Sequence, residues 1–292
     1  MNMLKYFLLF GFCLSLIACK KDDDDDPSPN KNLTLNLSGL EDLGSSYVYE
    51  GWMIVNGAAI TTGVFTIDAN GAMSQNTFSL NRANLDAATT FVLTIEPAND
   101  PDPAPSSTHV LAGDFSGSDA ALTIGHMAAL GSDFTSSEGK YILATPTNGA
   151  MNDEKSGLWF LDPAAGPGAG LVLPTLPAGW AYEGWAVING SPVTTGTFTS
   201  TNEADNFSGF SGSMAGPPFP GEDYLMNAPA GQTFPVDLSG GVAVISVEPV
   251  PDNSPMPFAL KPLIGMIPAA AMDHTAYTMA FNAQAIEGTA SR

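Results

Sequence analysis

Glu50 and Trp52 stand two residues apart in Tyr49-Glu50-Gly51-Trp52, and the same four residues recur as Tyr182-Glu183-Gly184-Trp185. Residues two apart on a strand share a face, so each carboxylate lies beside an indole. A buried carboxylate needs partners or a raised pKa. Two readings follow: a ligand or metal carboxylate, or a glutamate at a strand margin that bonds a loop N–H or reaches solvent. No second titratable residue keeps a catalytic spacing in both copies, which favours the second reading. Glu96-Pro97 and Glu248-Pro249 end strands, because Pro cannot donate the next ladder bond. The acidic, Pro-rich loops after them, 99–103 and 251–255, read as stiff solvated connections with too few convergent oxygens for calcium. Asn148, Asn152, Asp153 and Glu154 lack the Asp-x-Asp-x-Asp-Gly order of a calcium loop. His109, His126 and His274 have no zinc spacing, and Gly209-Phe210-Ser211-Gly212 lacks the order of a nucleophile elbow. No catalytic, cofactor-binding or metal-ligating residue is assigned, and the chain reads as non-enzymatic.

The elements that must position these residues are short, β-branched runs of period two bounded by Gly, Pro, Asn and Asp. The pattern predicts strands at 33–37, 47–55, 63–67, 77–80, 91–96, 110–113, 140–144 and 158–161, one helix at 119–130 and a single turn at 83–88. On the strand 47–55, Tyr49, Gly51, Met53 and Val55 face one way and Val48, Glu50, Trp52 and Ile54 the other. Both faces are apolar, so the strand is covered on both sides. Gly51 and Gly184 leave room for a neighbouring ring or backbone. Asn56-Gly57 and Asn189-Gly190 are hairpin signals.

The chain is written twice. Residues 49–66 and 182–199 share eleven identities in eighteen positions at a constant offset of 133. Between Phe198 and Thr233-Phe234 the second copy carries about 23 more residues, rich in Gly and Pro. The expected architecture is all-β, two tandem antiparallel β-sandwich-like domains at 33–165 and 166–292.

Of 292 residues, 30 are Asp or Glu and 9 are Lys or Arg, a net charge of −21 that leaves no basis for nucleic-acid binding. A hydrophobic content of 44% excludes a disordered chain. Residues 1–18 have one early Lys and an eleven-residue apolar run, too short to span a bilayer as a helix, which needs about 20 residues. They read as a signal peptide. Leu16-Ile17-Ala18-Cys19 resembles the lipobox of bacterial lipoproteins, which implies acylation of Cys19 and attachment to a membrane through lipid. The only other cysteine, Cys13, lies in the segment removed, so no thiol is left for disulfides or zinc. Residues 19–32, with Lys20-Lys21 and five successive Asp, form an acidic tether. A Lys followed by acidic residues after the lipid Cys resembles a surface-export signal of some outer-membrane bacteria. The expectation is an outer-membrane lipoprotein of the cell envelope, either periplasm-facing or surface-exposed.

Tyr49-x-x-Trp52, Gly57, Gly63-x-Phe65, the run 91–97, its Pro-rich loop and Val110-Leu111-Ala112-Gly113 resemble the C-terminal extracytoplasmic domain of anti-sigma-K factors. The second copy matches over 182–198 and 242–249, then departs at Leu260-Lys261-Pro262. The resemblance implies the sensor-side module. Direct sigma-factor binding is not expected, because no His/Cys cluster and no second apolar span is seen. The reading is a non-catalytic, lipid-anchored envelope protein without cofactors that binds another envelope protein or senses. The alternative is a surface ligand-binding protein for glycan, with Phe207, Phe210, Phe219 and Tyr224 of the insertion 206–231 as platforms beside Glu183 and Trp185.

Overall fold

Each Asn-Gly pair turns a hairpin. Asn56 and Gly57 have φ of 51° and 79°, and Asn189 and Gly190 have 50° and 82°, the two positive values that a type I′ turn requires. The computed structural model describes residues 28–149, 152–252, 254–283 and 285–292. Residues 1–18, Cys19 and the tether as far as 27 lie outside the described residues.

In chain order come β1 (Asn30–Ser38), β2 (Tyr47–Val55), β3 (Ala58–Phe65), β4 (Thr77–Asn81), the helix α1 (Arg82–Ala87), β5 (Thr90–Pro97), β6 (His109–Ser116) and β7 (Asp119–Thr123). Then follow β8 (Glu138–Leu143), β9 (Gly157–Trp159) and the short β10 (Leu161–Asp162), β11 (Gly168–Ala169) and β12 (Leu171–Val172). The rest is β13 (Trp180–Ile188), β14 (Ser191–Phe198), β15 (Gly221–Asp223), β16 (Val242–Pro249), β17 (Leu263–Met266), β18 (Tyr277–Phe281) and β19 (Glu287–Ser291).

These strands form two large antiparallel sheets, ordered β3-β2-β5-β6-β7-β19-β1-β4 and β14-β13-β16-β17-β18-β8-β9-β15. The edges of each sheet approach one another. Phe65 of β3 packs on Phe78 of β4 at 6.3 Å, and the Tyr224 hydroxyl after β15 donates to the Val193 carbonyl of β14 at 3.3 Å. Each sheet therefore curls into a nearly closed barrel, and the fold is all-β as expected. The two barrels match position by position. Tyr49 stacks on Phe65 and Tyr182 on Phe198, both at 5.6 Å, and the two tyrosine hydroxyls donate to the carbonyls of Glu41 and Pro174, each eight residues upstream.

The strand pairing does not follow the expected cut between 165 and 166. β8 and β9 precede it but build the second barrel, whereas β19 follows it and fills the first barrel between β7 and β1. Two strands of the first half thus build the second barrel and one strand of the second half fills the first, and the block from β8 to β18 is nested between β7 and β19. A ladder formed over such separations leaves no local mark in the sequence. One continuous apolar cluster joins the barrels, from Leu33 and Leu93 to Tyr182 and Ile245. Phe134 meets the edge of Tyr182 at 6.5 Å within it.

Three local expectations change. The helix expected at 119–130 is β7 followed by turns, because Ala120 and Leu122 alternate inward with period two and Gly125 follows. Residues 30–32, expected in the tether, belong to β1 and pair with β4. The second-copy counterpart of β4 is β15, not Thr233-Phe234, so the extra residues lie on both sides of it.

Candidate functional site

The repeated Glu and Trp residues build the same network in both barrels. Trp52 Nε1 donates to Thr94 Oγ1 at 2.9 Å, and that hydroxyl donates to the Glu96 carboxylate. Trp185 Nε1 donates to Ser246 Oγ at 2.8 Å, and Ser246 donates to Glu248. Each terminal carboxylate accepts a backbone N–H ten residues further on, from Ser106 at 2.8 Å and from Phe258 at 2.9 Å. The Pro-rich loops are thereby tied back onto their strands. Thr61 donates to Glu50 across β2 and β3, and Thr194 donates to Glu183 across β13 and β14. Trp52 packs with Val92, Ala112 and Ala129 on the face opposite the main core, so both faces of β2 are covered.

Gly51 and Gly184 are required by close approach. A Cβ on Gly51 would meet the Thr62 hydroxyl and come within 2.8 Å of the Phe91 ring, and one on Gly184 would meet Thr195 and the Phe160 ring at 2.5 Å. The two carboxylates differ in setting. Glu50 is half-buried, whereas Glu183 is 5% exposed and its Oε2 has no hydrogen-bond partner. Burial pushes Glu183 up to about 7 and Glu248 up to about 8, against the hydrogen bonds that favour ionisation. Among the described residues, no group of three His, Cys, Asp or Glu side chains is arranged to hold a metal.

Trp52 and Trp185 make no ring pair with the insertion aromatics, whereas Glu183 is near enough to Asp205 of the insertion for that charge to add to its rise. Phe210 packs inward, 4.9 Å from Phe207, 5.3 Å from Phe234 and 6.0 Å from the fully buried Tyr224. Phe210 and Tyr224 are therefore core residues of the insertion, not platforms. Phe219 packs with Trp159 in a separate apolar cluster with Ile142 and Leu161. Beside it the insertion folds back on the barrel and encloses a cleft of about 400 Å³, lined by Trp159, Asp205, Asn206, Phe207, Ser208 and Phe219 among others.

Carboxylates hold the cleft walls, Glu222 and Asp223 fully buried and Asp205 half-buried. Asp223 accepts the Thr147 N–H at 2.9 Å and the Trp159 Nε1–H at 2.7 Å, together with the Thr147 hydroxyl. That hydroxyl in turn accepts Gly212 N–H at 2.7 Å. Glu222 accepts Ser211 Oγ–H and its neighbour's N–H at 2.9 Å. Asp205 accepts Phe207 N–H at 3.1 Å and Gly221 N–H at 2.8 Å. Burial raises all three carboxyls, Asp205 and Glu222 to about 7. Gly216 and Gly221 lie against the Trp159 ring, where a Cβ on either would come within 2.6 Å.

Sequence reasoning missed Trp159, Asp205 and Asp223. The available signal was four acids, Glu203, Asp205, Glu222 and Asp223, in a stretch otherwise rich in Gly, Pro and aromatic residues, where a carboxylate must find partners. The other candidates are local structure. Asp100, Asp102 and Asp252 each accept an N–H two residues on, at 2.8, 3.0 and 2.9 Å. Asn148 donates to the Asn152 carbonyl at 3.1 Å, and the Glu154 carboxylate accepts Thr145 N–H at 3.1 Å. His126 caps its own turn by accepting Ala128 N–H at 3.1 Å. Compared with protein-family models, curated proteins and solved structures, the chain matches none of them.

Proposed function

We propose that this is a non-catalytic, lipid-anchored protein of the cell envelope that works by binding, with its ligand site in the cleft of the second barrel's insertion. The observation that carries this reading is the insertion itself. It is the main difference between the copies, and it packs onto the barrel to wall a cleft instead of extending into solvent. Ligand sites are concave, largely preformed and apolar with a few fixed polar groups. Phe207 and Pro217, with the buried Trp159 and Phe219 behind them, beside Asp205 and Asn206 supply that mixture. The first copy, without the insertion, would serve as the body that presents it.

The test is a thermal-shift panel of saccharides, peptides and amines on the wild type and on Ala215→Trp, which fills the cleft from an exposed position. A ligand at a hundredfold excess over its Kd stabilises by about 2.7 kcal/mol. Compounds that raise the wild-type melting temperature are expected to leave Ala215→Trp unmoved. Equal shifts in both proteins, or none in either, would reject the reading.

A further inference from the structure

We infer that the insertion cleft is a saccharide site that takes a neutral sugar; this rests on the reading of the protein as a binding protein. A sugar ring presents an apolar C–H face and a rim of hydroxyls, and the cleft offers the complement of each. Phe207 and Pro217, both half-buried, supply ring surface at the cleft, backed by the buried Trp159 and Phe219. Asp205, with Asn206 and Ser208 beside it, supplies the polar side.

Asp205 is built to receive hydroxyl donors. Its two oxygens each accept one backbone N–H, from Phe207 and from Gly221, which fixes the carboxyl and leaves each oxygen a lone pair. Burial raises Asp205 to about 7, so the protein carries the cost of its partial desolvation before any ligand arrives. The frame is equally fixed. The Thr147 carbonyl accepts Met214 N–H at 3.0 Å, and the same residue holds Asp223 and Gly212.

Other ligand classes fit less well. Among the lining residues there is no Lys, Arg or His, and the chain carries a net charge of −21, so an anion has neither a partner nor a favourable field. Asp205 is the only acid that lines the cleft, because Glu222 and Asp223 are fully buried behind it. A multivalent cation therefore has one carboxyl to meet.

The test uses the lipidated full chain in a sugar-free detergent. It is probed on an array of neutral gluco-, xylo-, manno- and N-acetylglucosamine oligosaccharides, and the tightest binder is then titrated by calorimetry. Spermidine and a mixed tripeptide set form the comparison arms. We expect saccharide binding that Ala215→Trp abolishes, Asp205→Ala weakens at least tenfold, and Met266→Trp, at an exposed position ending β17, leaves unchanged. Ala215→Trp removes no buried contact, so it stands if Asp205→Ala fails to fold. Saccharide binding that survives Ala215→Trp overturns the assignment. If no saccharide binds but spermidine or a tripeptide binds in an Ala215→Trp-sensitive way, the saccharide assignment falls and the binding reading stands. If no arm is sensitive to Ala215→Trp, both fall.

Discussion

Replacing Glu248 by Gln removes a carboxyl that the fold holds largely protonated at neutral pH. Glu248 is 1% exposed, accepts Ser246 Oγ–H and Phe258 N–H, and is pushed by burial from 4.5 to about 8, with the Glu183 charge adding to the rise. Because the folded value lies above the unfolded one, the folded state binds more protons between these values. The associated stability is fully present below pH 4.5 and is lost as pH rises towards 8. A shift of that size corresponds to roughly 5 kcal/mol at full strength, of which about 4 kcal/mol is lost between pH 4.5 and 8. Gln keeps an acceptor for both hydrogen bonds and has no proton to lose. At about 2–4 °C per kcal/mol for a chain of this size, the melting temperature of Glu248→Gln relative to wild type should rise by about 8–16 °C between pH 4.5 and 8. Circular dichroism melts across that range measure it. Parallel curves for the two proteins would refute the reasoning.

Gly184→Ala should cost about 2 kcal/mol, because the new methyl meets the Thr195 hydroxyl and the Phe160 ring, and chemical denaturation would read the loss. Ending the chain after residue 286 removes β19 and the Arg292 side chain, which donates to the Leu85 and Ala88 carbonyls at 2.6 and 2.7 Å. Calorimetry should then show the first barrel unfolding in an earlier, separate transition, and an unchanged single transition would argue against the nested topology. Cys19→Ser should abolish palmitate labelling and move the protein from the membrane to the soluble fraction, which fractionation and immunoblotting would follow.

Much of the first barrel was legible because its signals are local. Period-two alternation marks 47–55 to the residue, and Asn56-Gly57 can close only a tight turn of positive φ. The duplication carried the same reading to β13 and β14. Strand exchange was not legible, since β8 pairs with β18 and β19 with β1 through ladders that no short window contains. The run 119–130 misled because small apolar residues suit a helix as well as an edge of period two, and the barrel decided. The cleft was the hardest part. Its walls are irregular Gly- and Pro-rich segments whose shape comes from Asp205 and Asp223 accepting distant backbone N–H groups and Glu222 accepting the Ser211 hydroxyl, and Trp159 reaches it from a strand outside the insertion.

Hydrogen exchange of the full chain, alone and saturated with the tightest oligosaccharide of the array, tests the location of the site most directly. Slowed exchange confined to 204–221 and 157–160 is the expected result. Protection centred on Glu50 and Trp52, or on Glu183 and Trp185, or no protection at all, would contradict it.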